Sequence, residues 1–214
     1  MGLTQGTDGG KGAFISALYV VIVPVIGLFF GRRIRPVVWA AIGLSVVGFY
    51  LLCVKGDFTM TPSDLLILLC ALLFAFHILF VDHYSPKCDS LRVALIQFAS
   101  STVVMTVLSL IFEGLPDFSV IASGILPLIY LGVASSGIAY TLQIIGQKGT
   151  PPAISSILLS LESVFGAIGS ALLLGEKMPL REGIGCAIVF FAVLLANSRV
   201  QKTPKTMGNA KENE

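Results

Sequence analysis

Apolar residues fill seven long runs of the chain, and short polar joints separate each run from the next. The runs cover residues 12–30, 36–54, 64–82, 91–112, 124–146, 153–174 and 181–198. About 18 or more consecutive apolar residues are enough for a helix to cross the hydrocarbon core of a bilayer. The pattern therefore predicts an all-α membrane protein, a polytopic bundle of about seven transmembrane helices.

Composition agrees with a membrane location. Of the 214 residues, 55% are hydrophobic and 12% are charged, and the mean hydropathy is +0.91. Average soluble domains contain about 25% charged residues. A net charge of +2 gives no electrostatic reason to expect nucleic acid as a partner. We expect membrane lipids and a small-molecule substrate as partners, with a homodimer as an alternative to the monomer, and no cofactor or metal.

Basic residues indicate the orientation of the chain. If the C-terminus is cytoplasmic, ten of the fourteen Lys and Arg residues lie on the inside, as the positive-inside rule requires. We therefore expect a multi-pass protein of the cytoplasmic membrane, with residues 199–214 as a disordered cytoplasmic tail. The opening "MGLTQGTDGGK" lacks the pattern of a signal peptide and is typical of the end of an external loop. The prediction is that the chain begins partway through a longer protein.

A weak internal repeat relates the two ends of the chain. Residues 13–53 align with residues 157–197 at an offset of 144 positions, without gaps. Identities such as Ser16 with Ser160 are few, but each copy consists of a helix, a short joint and a second helix. Three predicted helices lie between the copies, and this odd number gives the copies opposite topology. Inverted repeats are common in secondary transporters, which bind substrate near the membrane midplane.

Three segments resemble the EamA-type members of the drug/metabolite transporter superfamily. The segments are "KGAFISALYVVIVPVIGLFFGRRI", "YLGVASSGIAYTLQIIGQKGTPPAISSILLSLESVFGAIGSALLLGEKM" and "GIGCAIVFFAVLLAN". The most specific part is "SLESVF" followed by "LLLGE", although Ser163 stands where the family commonly has proline. The resemblance implies a 5+5 inverted-repeat transporter fold that here lacks its first three helices. Residues 1–55 would be the C-terminal part of the first EamA repeat and residues 56–198 the second.

Glu162 is the main candidate for function because it is a carboxylate near the middle of an apolar run. Such a charge costs about 2.5–3.5 kcal/mol on insertion scales and normally faces the bundle interior or water. One hypothesis makes Glu162 a contact for a substrate amine or a proton site. The alternative is a carboxyl group that hydrogen-bonds two helices together. Small residues suited to close helix packing follow a neighbouring face at spacings of three or four: Ser156, Ser160, Ser163, Ala167 and Ser170.

A polar stripe on the fifth run offers further candidates. Ser136, Tyr140 and Gln143, followed by Gln147, recur at spacings of four, three and four, which places them on one helical face. This face must point into protein or water. It would either line a cavity for a polar solute or form hydrogen bonds between helices, and Gln147 could instead reflect the end of the helix.

His77 and Tyr19 complete the predicted substrate-binding set. His77 lies among phenylalanines in "LLFAFHILF" and is either a packing residue or part of the site. Tyr19, on the first apolar run, could line the same cavity.

The leading hypothesis is a secondary transporter of small metabolites, amino-acid-like or other polar solutes, which works by alternating access and in the direction of efflux. The sequence contains no ATP-binding G-x-x-x-x-G-K-[ST] loop. One alternative is a truncated, transport-inactive membrane fragment or a mis-started gene model. Another is an intramembrane enzyme, but no catalytic motif supports it, and we expect no enzymatic activity.

Overall fold

The described part of the chain is helical and confirms the predicted all-α membrane fold. The computed structural model describes residues 9–54, 61–112, 114, 122–173 and 179–197. Within these residues, seven helical segments are long and apolar enough to cross a membrane. The predicted tail, residues 199–214, lies outside the described residues.

We number the seven segments α1 to α7. Segment α1 comprises Gly9–Ala17 and Tyr19–Phe29, α2 is Pro36–Cys53, α3 is Pro62–Tyr84, and α4 is Ser90–Phe112. Segment α5 comprises Ile125–Ile129, the π-helical stretch Tyr130–Ile138, and Ala139–Gln147; α6 comprises Pro152–Leu159 and Leu161–Leu173; α7 is Leu180–Asn197. These bounds agree with the seven apolar runs to within a few residues.

The chain divides into two compact units. The first unit contains the described parts of Met1–Ile78 and Pro152–Glu214, and therefore α1, α2, most of α3, α6 and α7. Its main interface joins α2 to α7, the second helices of the two repeat copies, and α1 packs against the first half of α6. Each helix of one copy thus contacts its counterpart in the other.

The buried faces of α2 and α7 follow the same offset of 144 residues as the repeat. The six matched residues on α2 are Ala41, Ile42, Ser45, Gly48, Phe49 and Leu52, and those on α7 are Gly185, Cys186, Val189, Ala192, Val193 and Ala196; Val38 and Cys53 of α2 are also buried, but their counterparts Glu182 and Asn197 are not. All twelve matched residues are buried. Ala41, Ser45, Gly48 and Leu52 recur at spacings of four, three and four residues, with Ile42 and Phe49 beside them, which keeps the face on one side of an α-helix. The α2–α7 interface is therefore built from equivalent positions of the two copies.

Two glycines bring the backbones of α2 and α7 close together. A Cβ atom added to Gly48 would lie 2.9 Å from the carbonyl oxygen of Gly185 and 2.6 Å from a methyl group of Val189. Small residues permit this kind of close approach between membrane helices. Lipid tails are as apolar as the side chains, so the hydrophobic effect does not drive these helices together and their association depends on packing.

The second unit, Leu79–Pro151, contains the end of α3, α4 and α5. Its small core is formed by Val81, Ala94 and Ile144, with Val93 and Phe98 packed against them. Most other large apolar side chains of α4 and α5 are exposed. Exposed apolar surface of this extent suits contact with lipid.

Candidate functional site

Helices α1 and α6 each depart from regular α-helical geometry at a single residue near the middle, called a break below, although each remains one helix long enough to cross a membrane. In α1 the break falls at Leu18, whose N–H donates to the carbonyl of Ile15, three residues earlier, at 3.2 Å. In α6 the break falls at Ser160, whose hydroxyl donates to the carbonyl of Ile157 at 2.6 Å. Hydroxyls that bond to the preceding turn compete with the helical backbone pattern and bend helices. Both breaks lie in the first unit.

A predicted site residue lies within two residues after each break. Tyr19 is the first residue of the second half of α1, and Glu162 is the second residue of the second half of α6. Glu162 is exposed, whereas Tyr19 is buried. These two candidates are 143 positions apart in the sequence and lie on packed helices of the same unit.

A row of rings connects Tyr19 to a third predicted residue, His77. The rings of Tyr19 and Phe74 meet edge to face, with centroids 4.9 Å apart and planes at 76°. The Phe74 ring stacks on the His77 ring at 5.8 Å and 26°. Edge-to-face and offset-stacked pairs are the favoured aromatic geometries. His77 therefore belongs to the same group of side chains as Tyr19, and Phe74 is a member that the sequence did not single out.

The Glu162 carboxylate makes no ion pair within the part of the chain that the structure describes. Ser156 and Ser160 of the neighbouring face are buried, but their hydroxyls donate to carbonyls of α6 itself, those of Ala153 and Ile157. These two hydroxyls therefore offer no hydrogen bond that ties Glu162 to another helix. This arrangement favours a carboxylate that is available to a ligand.

The other predicted site residues lie in the second unit. Ser136, Tyr140 and Gln143 are all partly buried on α5. Ser136 belongs to the π-helical stretch, where backbone hydrogen bonds span five residues, so the α-helical spacing argument holds from Tyr140 through Gln143 to Gln147 but not for Ser136. The Gln143 side-chain nitrogen is buried and has no hydrogen-bond partner among the described residues. In Gln147 both the side-chain nitrogen and the side-chain oxygen are buried without a hydrogen-bond partner among the described residues. Such groups point to a polar ligand or water.

The sequence reasoning missed a buried ion pair in the first unit. Lys11 of α1 and Asp64 of α3 form a salt bridge of 2.5 Å, and both side chains are buried. The Asp64 carboxylate also accepts a hydrogen bond from the backbone N–H of Thr61 at 2.6 Å. The signal was present in "TPSD", because a Thr followed three residues later by an acid is a helix-start pattern. Nothing in the sequence indicated Lys11 as its partner.

The sequence model of the EamA-like transporter family matches residues 61–198, more than half of the chain. This chain belongs to the EamA-like transporter family. The EamA-like assignment confirms the resemblance inferred from the sequence.

A curated relative and a solved structure are similar to this EamA-like chain. An uncharacterized transporter of Archaeoglobus fulgidus is 28% identical over 200 residues, which are 92% of this chain and 62% of the relative. The chain thus spans less than two thirds of that transporter's length. A crystal structure of another protein superposes on this chain with a TM-score of 0.76 and 18% sequence identity. The match covers 94% of this chain and 72% of the other protein's chain. At that identity the likeness shows the fold alone.

Proposed function

We propose that this EamA-like protein is a secondary transporter that exports small polar solutes, amino-acid-like ones among them, across the cytoplasmic membrane by alternating access. The carrying observation is the exposed carboxylate of Glu162, which lies just after an irregular turn of α6, a helix that packs against α1. Secondary transporters bind substrate near the membrane midplane, where their inverted repeats meet. An exposed carboxylate is a suitable solute contact in otherwise apolar surroundings.

Residues of the second unit contribute to the proposal independently. Ser136, Tyr140 and Gln143 carry hydroxyl and amide groups, and Gln143 has a buried nitrogen without a hydrogen-bond partner among the described residues. A polar solute would satisfy such a group during transport. We include these three residues as further solute contacts, without assigning them a position relative to Glu162.

The proposed orientation has a cytoplasmic C-terminus, supported by ten basic residues inside against four outside. Fusion of a periplasmic alkaline phosphatase or a cytoplasmic fluorescent protein to the C-terminus tests it. We expect fluorescence and no phosphatase activity, and the reverse result would overturn the orientation.

Solute flux in proteoliposomes tests the function. Vesicles containing the purified chain are loaded with a mixture of unlabelled amino acids and small amines, and uptake of each labelled solute is followed with and without an imposed pH gradient. We expect exchange of at least one solute, reduced about tenfold or more by Glu162→Gln because a charged hydrogen-bonding contact is lost. Glu182→Gln, in the first turn of α7, is the matched control.

The control should retain the flux of the unmodified chain. Absence of exchange for every solute would overturn the transporter proposal for this chain. Unchanged flux in Glu162→Gln, with and without the gradient, would remove Glu162 from the mechanism.

A further inference from the structure

Lys11 and Asp64 tie the start of α1 to the start of α3. The Lys11 ammonium lies 2.5 Å from a carboxylate oxygen of Asp64, and the two side chains are 11% and 0% exposed. Each is the third residue of its helix. Under the proposed orientation this is the external end of both helices. The ion pair is shielded from solvent, so this end of the first unit is closed at the pair.

A second contact between α1 and α3 lies further along both helices. The rings of Tyr19 and Phe74 meet edge to face with their centroids 4.9 Å apart. Tyr19 lies eight residues after Lys11, and Phe74 lies ten residues after Asp64, which is about 12 and 15 Å along an α-helix. The two helices therefore run side by side in the same direction. A rotation of α3 about the aromatic contact would separate the two helix starts while the rings stay in contact.

An ion pair suits a contact that forms and breaks. Two buried charges lose almost as much hydration energy as their attraction returns, so a buried pair adds little net stability relative to hydrated ions. When water enters, both charges regain hydration, and the Asp64 carboxylate keeps the hydrogen bond from the N–H of Thr61 at 2.6 Å. The long lysine side chain reaches water by rotation about its own bonds. A permanent tie between helices needs no charges, as the glycine contact of α2 and α7 shows.

The repeat does not duplicate this ion pair. At the offset of 144 residues, the position equivalent to Lys11 is Ser155, near the start of α6. Ser155 is buried, and its hydroxyl has no hydrogen-bond partner among the described residues. An uncharged side chain cannot form the equivalent ion pair. Because inverted repeats place equivalent positions at opposite ends of the bundle, the pair makes one end different from the other.

We propose that the Lys11–Asp64 pair is a gate, which closes the end of the first unit where α1 and α3 begin and opens when solute passes. The proposal rests on the proposed transport function and adds the contact that controls access from one side. Removal of either charge leaves the other buried without this partner, and such a charge is stabilised by water. Loss of one member therefore favours the open state, whereas loss of both members removes the charge that water would stabilise.

Thiol labelling tests the gate without any transported solute. The four native cysteines are replaced by alanine, and Ser63→Cys places a thiol beside Asp64 at a buried position. Ser45→Cys is the matched control, because Ser45 is buried on α2. A water-soluble maleimide is added to the purified chain in detergent. Asp64→Asn and Lys11→Met should each accelerate labelling of the Ser63→Cys thiol about tenfold and leave that of Ser45→Cys unchanged.

The double variant Lys11→Met with Asp64→Asn separates charge from side-chain size. It should label at Ser63→Cys nearly as slowly as the chain that keeps the pair. Single variants that label no faster than that chain overturn the gate. An equal acceleration at Ser63→Cys and Ser45→Cys reports loosening of the whole unit and also overturns it. A double variant that labels as fast as the single ones does so too, because charge is then not the cause.

A reversible cross-link separates the gate from the transport function. Lys11→Cys with Asp64→Cys, in the same cysteine-free background, is joined by a short bifunctional methanethiosulfonate reagent. In the proteoliposome assay the joined chain should lose its flux and regain it after reduction, whereas the reagent should not change the flux of Lys11→Cys alone. Unchanged flux after complete cross-linking overturns the gate and leaves the transport function intact. Absence of flux in the unmodified chain overturns the transport proposal, and the labelling rates still decide whether the pair closes this end.

Discussion

Gly48 of α2 and Gly185 of α7 are in direct backbone contact. A Cβ atom added to Gly185 would lie 2.7 Å from the carbonyl oxygen of Gly48 and 2.8 Å from the backbone nitrogen of Leu52. Because the same offset of 144 residues relates the buried faces of the two helices, the contact lies where the repeat copies meet. This close contact therefore lies on the interface between the two repeat copies.

Substitution of Gly185 by alanine should destabilise the protein. The added methyl group has no space, and overpacking of this kind costs about 1–3 kcal/mol. Gly43→Ala on α2 is the control, because a Cβ there meets nothing within 4 Å. In a helix that change should be neutral or stabilise by about 0.5–1 kcal/mol. Thermal unfolding in detergent measures both, and equal midpoints for the two variants would contradict the close contact.

Substitution of Asp64 by asparagine should also destabilise the protein. The amide oxygen of the new side chain could still accept the hydrogen bond from Thr61, but Lys11 would keep a buried charge without this partner. Loss of one member of a buried ion pair costs about 3–5 kcal/mol. The double variant Lys11→Met with Asp64→Asn should recover much of this loss. If the double variant is as unstable as the sum of the two single ones, the pair is not coupled.

Substitution of Phe74 by leucine should weaken solute binding through Tyr19. The Tyr19 ring would lose its edge-to-face partner, a contact worth about 0.5–1.5 kcal/mol, so solute affinity should fall about two- to tenfold. Phe76→Leu is the control on the same helix, since Phe76 is 48% exposed. Solute titration and flux measure the effect. A similar change in both variants would argue against a specific role for Phe74.

The seven spans could be predicted from the sequence because length and hydropathy determine whether a helix can cross a bilayer. The family could be predicted from "SLESVF" and "LLLGE". The break at Leu18 could not, because no glycine or proline occupies that position and the deviation appears only in the backbone hydrogen bonds. The π-helical stretch of α5 likewise carries no clear sequence signal, which is why the spacing from Ser136 was treated as α-helical.

The candidate site was predictable residue by residue but not as an arrangement. Glu162 was identified by its charge in an apolar run, and Tyr19 and His77 as polar groups in apolar helices. The grouping of Tyr19 with His77 depends on how α1 and α3 pack in the first unit, and Phe74 links these two rings. A phenylalanine in an apolar run has no distinguishing pattern, so its role appears only in the ring contacts.

Gln147 distinguishes the alternatives for the polar stripe of α5. Its side chain is 3% exposed, and both amide atoms lack a hydrogen-bond partner among the described residues. Leaving such a group unsatisfied costs about 1–3 kcal/mol, so Gln147→Met should stabilise the protein by about 1 kcal/mol. If Gln147 also contacts the solute, the same variant should show reduced flux. A stripe that joins helices by hydrogen bonds predicts the opposite sign of the stability change.

Comparison of Gln147→Met with a control variant separates three roles of Gln147: lining the solute path, ending the helix, and forming a hydrogen bond between helices. Gln97→Met on α4 makes the same chemical change at a half-buried site and should alter the free energy of unfolding by less than about 0.5 kcal/mol. Unfolding in mixed detergent and solute flux are measured for both variants. Higher stability with lower flux in Gln147→Met supports a solute-lining role. In that case the Gln147 amide lowers the stability of the protein but contributes a contact to the solute. Higher stability with unchanged flux would leave Gln147 as a feature of the helix end, and lower stability would favour a hydrogen bond between helices.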